Sequence, residues 1–173
     1  MKNVKSILVA LLLIAGVGFN QALAQNKDAK MMHSKEVNKS ADEVWKVLRK
    51  MDDIDKYSSN IAKVDWEGNK GIGGIRVCWT PDGKGYFKER IVGFDDATRS
   101  FSYSLLEGAP VKGMINTLKV VDQGYNKSKI VWWTNYEEFM KNPNMTKDQF
   151  HGFMKMSITE LADKVASAAK TTM

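Results

Sequence analysis

The sequence predicts an α+β fold, with a curved antiparallel sheet of six to seven strands around one long C-terminal helix. Three observations carry this. Apolar residues recur at helical spacing only in residues 40–51 and in a final stretch from Phe150 to Val165. Between them the period shortens to two, in segments that follow one another through short turns, the mark of an antiparallel meander. Such a sheet has one apolar face to bury, and the C-terminal helix is the only long element left to cover it.

The first residues stand outside that fold. Lys2 and Lys5 precede an apolar run from Ile7 to Val17, and Ala22-Leu23-Ala24 follows. This is a positive n-region, an h-region and a small-x-small cleavage site, so residues 1–24 are expected to be a signal peptide cut before Gln25. The run is short for a bilayer span, and no Cys follows that would carry a lipid anchor. The protein is expected to be exported, to the periplasm or beyond, with no stable membrane insertion once the leader is gone. What remains is about 150 residues, one domain's worth. Residues 25–33 read as a polar lead-in and 34–170 as a single domain.

Within the domain, Ser34 to Asn38 is expected to form the first strand. Ser40 with Glu43 three residues on is a capping box, and Val44, Val47, Leu48 and Met51 follow at helical spacing, flanked by Trp45. A second short helix is expected over Asp53 to Ser59. Val64 and Trp66 begin the alternation, and Gly71 to Gly74 form a turn. Ile75, Val77 and Trp79 make the next strand, closed by Thr80-Pro81-Asp82-Gly83. The stretch from Tyr86 to Gly108 supplies two more, divided at Asp95-Asp96-Ala97-Thr98. Val111 to Val121 and Lys129 to Glu138 read as two long strands joined by residues 122–126. Thr146 is the expected N-cap of the last helix, which runs to about Ala169 with Phe150, Met154, Ser157, Ile158, Leu161 and Val165 on one stripe and Phe153 at its edge.

The formal net charge is +6, of which the leader lysines supply two. The basic residues are scattered, and no dense basic run interleaves with aromatics, so a nucleic-acid partner is not expected. The lone Cys78 forms no internal disulfide, which leaves stability to a hydrophobic core. His33 and His151 have no Asp or Cys at ligand spacing, so no metal or other cofactor is expected. No nucleophile elbow is present, and Gly71-Ile72-Gly73-Gly74 is too short for a phosphate loop.

One residue breaks the pattern. Alternation puts Phe87, Glu89 and Ile91 on one face and Lys88 and Arg90 on the other, so a carboxylate falls on the apolar side. An unpaired buried carboxylate is costly. Two readings stay open: an ion pair with Arg76 or Arg90, or the polar contact of a ligand pocket. Pocket geometry is already implied, because a helix about 10 Å across cannot cover strands spaced about 4.8 Å apart over six or seven strands.

GIGGIR at residues 71–76, Asp82-Gly83, ERIVGFDDATRSFSYSLLEG at 89–108 and IVWWTNY at 130–136 together resemble the START-like (SRPBCC) superfamily. Its members include the polyketide cyclase/dehydrase and lipid-transport group, birch-pollen-allergen-like proteins and plant abscisic acid receptors. The resemblance covers roughly residues 34 to 169. It implies the helix-grip fold, with a cavity between sheet and C-terminal helix. It implies that Glu89 faces the cavity with Phe87 and Ile91, and that Tyr103, Leu105, Met114 and Asn116 line it from later strands. Trp133, Phe150, Met154 and Ser157 complete the expected wall, where core and cavity lining are one surface. The hormone-receptor pattern is incomplete: Ala62 stands where its pocket lysine would be, residues 80–84 lack the gate sequence, and Ala109-Pro110 falls at the latch histidine. The ligand's identity therefore does not carry over.

The reading that follows is an exported binding protein for a hydrophobic or amphipathic small molecule, lipid-like. The alternative is a cyclase- or dehydratase-like enzyme working in the same cavity, with Glu89, Tyr103 and His151 as the titratable groups on offer. No catalytic set is joined by a motif, which favours binding over catalysis. The leader generates the first prediction. N-terminal sequencing of exported protein should begin at or near Gln25, and recovery of the full-length chain from the cytosol alone would refute export.

Overall fold

The computed structural model describes residues 29–171, so the leader and its cleavage site lie outside the described residues. Strand β1, Met31–Val37, is followed by helix α1, Ala41–Leu48. Ser40 starts α1 as the sequence requires: its Oγ accepts from the Glu43 N–H at 3.3 Å, and Glu43 Oε2 accepts from the Ser40 N–H at 3.0 Å. A single 3₁₀ turn, Met51–Asp53, and α2, Ile54–Tyr57, carry the chain to β2, Lys63–Glu67. Then come β3 (Ile75–Trp79), β4 (Tyr86–Asp95), β5 (Ser100–Glu107), β6 (Val111–Lys112), β7 (Ile115–Gly124), β8 (Lys127–Asn135) and β9 (Glu138–Phe139). The long helix α3, Lys147–Thr171, closes the described chain. It too begins with a capping box, in which Thr146 Oγ1 accepts from the Gln149 N–H at 3.2 Å and Gln149 Oε1 accepts from the Thr146 N–H at 2.7 Å.

Seven strands form one antiparallel sheet in the order β1-β8-β7-β5-β4-β3-β2. The first strand thus lies beside the last long one. β1 starts at Met31 rather than Ser34, because Met31, Met32 and His33 pair with Thr134, Trp133 and Trp132. Two shifts of register in β4, at Lys88/Glu89 and at Ile91/Gly93, mark bulges, which bend a strand and raise its twist. The sheet therefore curls, and α3 lies in its concave face.

The two long strands expected at 111–121 and 129–138 are each interrupted. Gly113 takes a φ of +66°, and a Cβ there would lie 2.7 Å from the Glu137 side chain. The chain kinks at that point, and β6 leaves the main sheet to pair with β9 as a separate two-stranded ribbon. The turn between β7 and β8 is tighter than residues 122–126 suggested. Tyr125 and Asn126, with φ of 52° and 58°, are the two left-handed residues of a short hairpin turn.

The core is uneven along α3. Its C-terminal half buries Ile158, Leu161, Ala162, Val165, Ala166 and Ala169 against α1 and the sheet, where they join Val44, Trp45, Leu48, Ile91 and Leu118. The alanines let α1 and α3 approach closely. In the N-terminal half, Phe150 is fully buried but Phe153, Met154 and Ser157 are only partly so. The helix is packed at one end and faces open space at the other. Urea unfolding should register this difference. Leu161→Ala should cost about 2–5 kcal/mol, whereas Met154→Ala, at the open end, should cost clearly less. Equal, large losses would indicate a filled interior.

Candidate functional site

The space left by that uneven packing is a cavity of about 710 Å³ between the sheet and the N-terminal half of α3. Its walls are mainly apolar. Phe87, Leu105, Met114 and Trp132 come from the sheet side, and Phe150, Phe153, Met154, Ile158 and Leu161 from α3. Loops 58–61, 80–85 and 108–110, with Met145, complete the rim. One wall is tied to the helix by polar bonds: Asn60 Nδ2 donates to Ser157 Oγ at 3.0 Å, and the Ser59 N–H and hydroxyl donate to Glu160 Oε2 at 3.0 and 2.9 Å. Opposite, Gly108 takes a φ of +107°, and a Cβ there would meet the Tyr86 carbonyl, so the 108–110 turn sits hard against β4.

Phe87, Glu89, Tyr103, Leu105, Met114, Asn116, Phe150, Met154 and Ser157 all line this cavity. Two expected residues do not. Ile91 is wholly buried in the main core cluster, opposite Tyr103 on β5. Trp133 has the opposite parity: Ile130, Trp132 and Thr134 are the inward side chains of β8, so Trp132 is the tryptophan in the wall. Adjacent tryptophans leave parity open in the sequence; the flanking Ile130 and Thr134 settle it in the structure. The rim loops carry no apolar period; only the comparison with the hormone-receptor pattern set residues 80–84 and 109–110 at its gate and latch positions, and nothing marked residues 58–61.

Glu89 answers to both readings. Its Oε2 accepts from Arg76 Nε at 2.6 Å, directly across from it on β3, and the pair is buried. Cys78 Sγ lies 3.6 Å from the same oxygen. Arg76 in turn sits beneath the Tyr103 ring, its Cζ 4.8 Å from the centroid. Glu89 is thus a structural partner whose carboxylate also forms part of the cavity lining. Burial, aided by the adjacent carboxylate, pushes the Cys78 thiol up to about 12. Burial, again with Glu89, also raises the Tyr103 phenol far above its ordinary value. For Arg76, burial opposes the charge, but Glu89, Cys78 and Tyr103 outweigh it and the guanidinium titrates above its ordinary value.

His151 is off the cavity wall. Its Nε2 is 2.7 Å from the Tyr136 hydroxyl, beside Phe150. Among the described residues no group of three or more His, Cys, Asp or Glu is arranged to hold a metal ion. No helix of the described residues is long and apolar enough to cross a membrane.

A curved antiparallel sheet gripping a long C-terminal helix, with an apolar cavity between them, defines a helix-grip protein. The chain belongs to the polyketide cyclase/dehydrase and lipid transport family, whose model matches residues 28–169. Solved structures agree on the fold. The protein XoxI from Bacillus cereus superposes with a TM-score of 0.70 at 17% identity, over 82% of this chain and 95% of that one. Norcoclaurine synthase from Thalictrum flavum, in complex with dopamine and hydroxybenzaldehyde, gives 0.68 at 21% identity, over 83% and 87%. The Zhui aromatase/cyclase from Streptomyces sp. R1128 gives 0.64 at 18% identity, over 81% and 92%. A search of curated proteins by sequence finds no match.

The buried pair sets a prediction. Glu89→Gln leaves the Arg76 charge buried without its counter-ion and should cost about 3–5 kcal/mol in denaturant unfolding. Replacing both residues, as Arg76→Met with Glu89→Leu, should recover much of that loss. An unchanged midpoint for Glu89→Gln would mean the charge is not structural.

Proposed function

We propose that the protein binds a hydrophobic or amphipathic small molecule, lipid-like, and does so after export. The cavity carries this reading. At about 710 Å³ it falls in the range of small-molecule sites, and its wall combines apolar side chains with a few polar groups. The methionines Met114, Met145 and Met154 suit it to molecules of varied shape, since the unbranched thioether adapts its rotamers. The leader pattern supports export, and the family's description includes lipid transport.

The ionisable groups in the cavity favour binding over a cyclase- or dehydratase-like reaction. Acid–base catalysis works best with groups that exchange protons near the operating pH. In the lining, the Tyr103 phenol is pushed far above its ordinary value, and the Glu89 carboxylate is engaged by Arg76.

Organic extraction of protein purified from its native host, followed by mass spectrometry, should recover a hydrophobic small molecule in near-stoichiometric amount. Met154→Trp, which fills the open half of the cavity, should carry much less. Equal recovery from both proteins would remove the cavity from the account.

A further inference from the structure

On the sheet side of the cavity, four side chains with polar atoms form a row. Glu89, Tyr103, Asn116 and Trp132 stand on four successive strands, β4, β5, β7 and β8, and all line the cavity. Tyr103 lies directly opposite Asn116. Glu89 is a diagonal neighbour of Tyr103, whose partner is Ile91, and Trp132 is a diagonal neighbour of Asn116, being opposite Leu118. Diagonal neighbours on a sheet are about 7–8 Å apart, within the span of one small molecule.

Two members of the row are left unsatisfied. Asn116 Oδ1 and Trp132 Nε1 are buried and have no hydrogen-bond partner among the described residues, and each side chain belongs to a residue only 2% exposed. A buried polar atom without a partner costs folding free energy. One of these atoms is an acceptor and the other a donor, on adjacent strands. A single hydroxyl group reaching both would satisfy them, because its oxygen accepts from the indole N–H while its proton goes to the amide oxygen. A carbonyl would satisfy only Trp132.

The charges in the cavity narrow the ligand further. Arg76 is wholly buried outside the lining and already matched by Glu89, and the cation that does line the cavity, Lys84, is exposed at the rim. A carboxylate lodged in the row would be a second anion beside Glu89.

We infer that the cavity takes an uncharged amphiphile hydroxyl end first, with that hydroxyl held between Trp132 and Asn116. This rests on the hydrophobic-ligand reading above and adds its orientation and charge. The apolar body runs from the row past Leu105 and Met154 to the rim at Pro81 and Pro110. Acidic amphiphiles are disfavoured at the deep end. Trp132 and Asn116 are the residues that set this preference.

Fluorescence titration of the protein with pyrene, 1-pyrenemethanol and 1-pyrenecarboxylate tests it. Trp132→Phe and Asn116→Leu should each weaken 1-pyrenemethanol about five- to tenfold and change pyrene by no more than about twofold, the difference being the lost hydrogen bond. Asn116→Leu should unfold at or above the parent midpoint, because it removes an unsatisfied buried acceptor. The carboxylate should bind more weakly than the alcohol. Equal losses for pyrene and its alcohol would reduce both residues to wall-formers and overturn the inference. So would tighter binding of the carboxylate, or a fall in midpoint for Asn116→Leu. If pyrene binds and only the alcohol preference is missing, the inference alone fails; if none of the three binds, the hydrophobic-ligand reading fails with it.

Discussion

The architecture turns on a mismatch of widths. Seven strands at about 4.8 Å spacing make a sheet roughly 30 Å across, and one helix covers about a third of that. The chain resolves the mismatch differently at the two ends of α3. At the C-terminal end, α1 joins α3 over the sheet and Ala162, Ala166 and Ala169 let the layers close. At the N-terminal end only the single-turn α2 stands beside α3, its Ile54 reaching the cavity, and loops form most of the rim. The cavity is what remains where one helix must do the work of two.

The buried Arg76–Glu89 pair belongs to the same constraint. A wholly apolar concave face would favour collapse onto the helix. An ion pair directly across β3 and β4, with Tyr103 over the guanidinium, sets charged and aromatic groups where aliphatic packing would otherwise extend. Its carboxylate also begins the polar row that crosses to Trp132. The residue that broke the alternating pattern is thus a member of the wall and of the ion pair that anchors it.

Much of the fold was legible in the sequence, because its signals are local. Ser40 with Glu43 and Thr146 both mark helix starts, and both caps form. The antiparallel row and the long final helix follow from periodicity, and the family motifs agree with them. The misreadings have non-local causes. Gly113 kinks the chain because Glu137 lies against it, a contact between positions far apart in any strand reading. The Trp132/Trp133 parity depends on the register with β7 and β1. Most of the expected wall residues do line the cavity, since strand parity fixes which way they face. The loop at 58–61 was invisible as lining, since it encloses the cavity by tertiary placement alone, and residues 80–84 were marked only by their correspondence to the receptor gate.

The edge position of β1 has a consequence for how the molecule forms. Its neighbour in the sheet is β8, and the Lys30 N–H reaches the Asn135 side chain across 105 positions of sequence. Nearly every other strand pairs with one close by in the chain, so hairpins assemble quickly, while this pairing closes a loop that contains most of the domain. A chain that emerges N-terminus first must therefore keep its opening strand unpaired until almost the whole sequence is free. The last edge to close is the first one made.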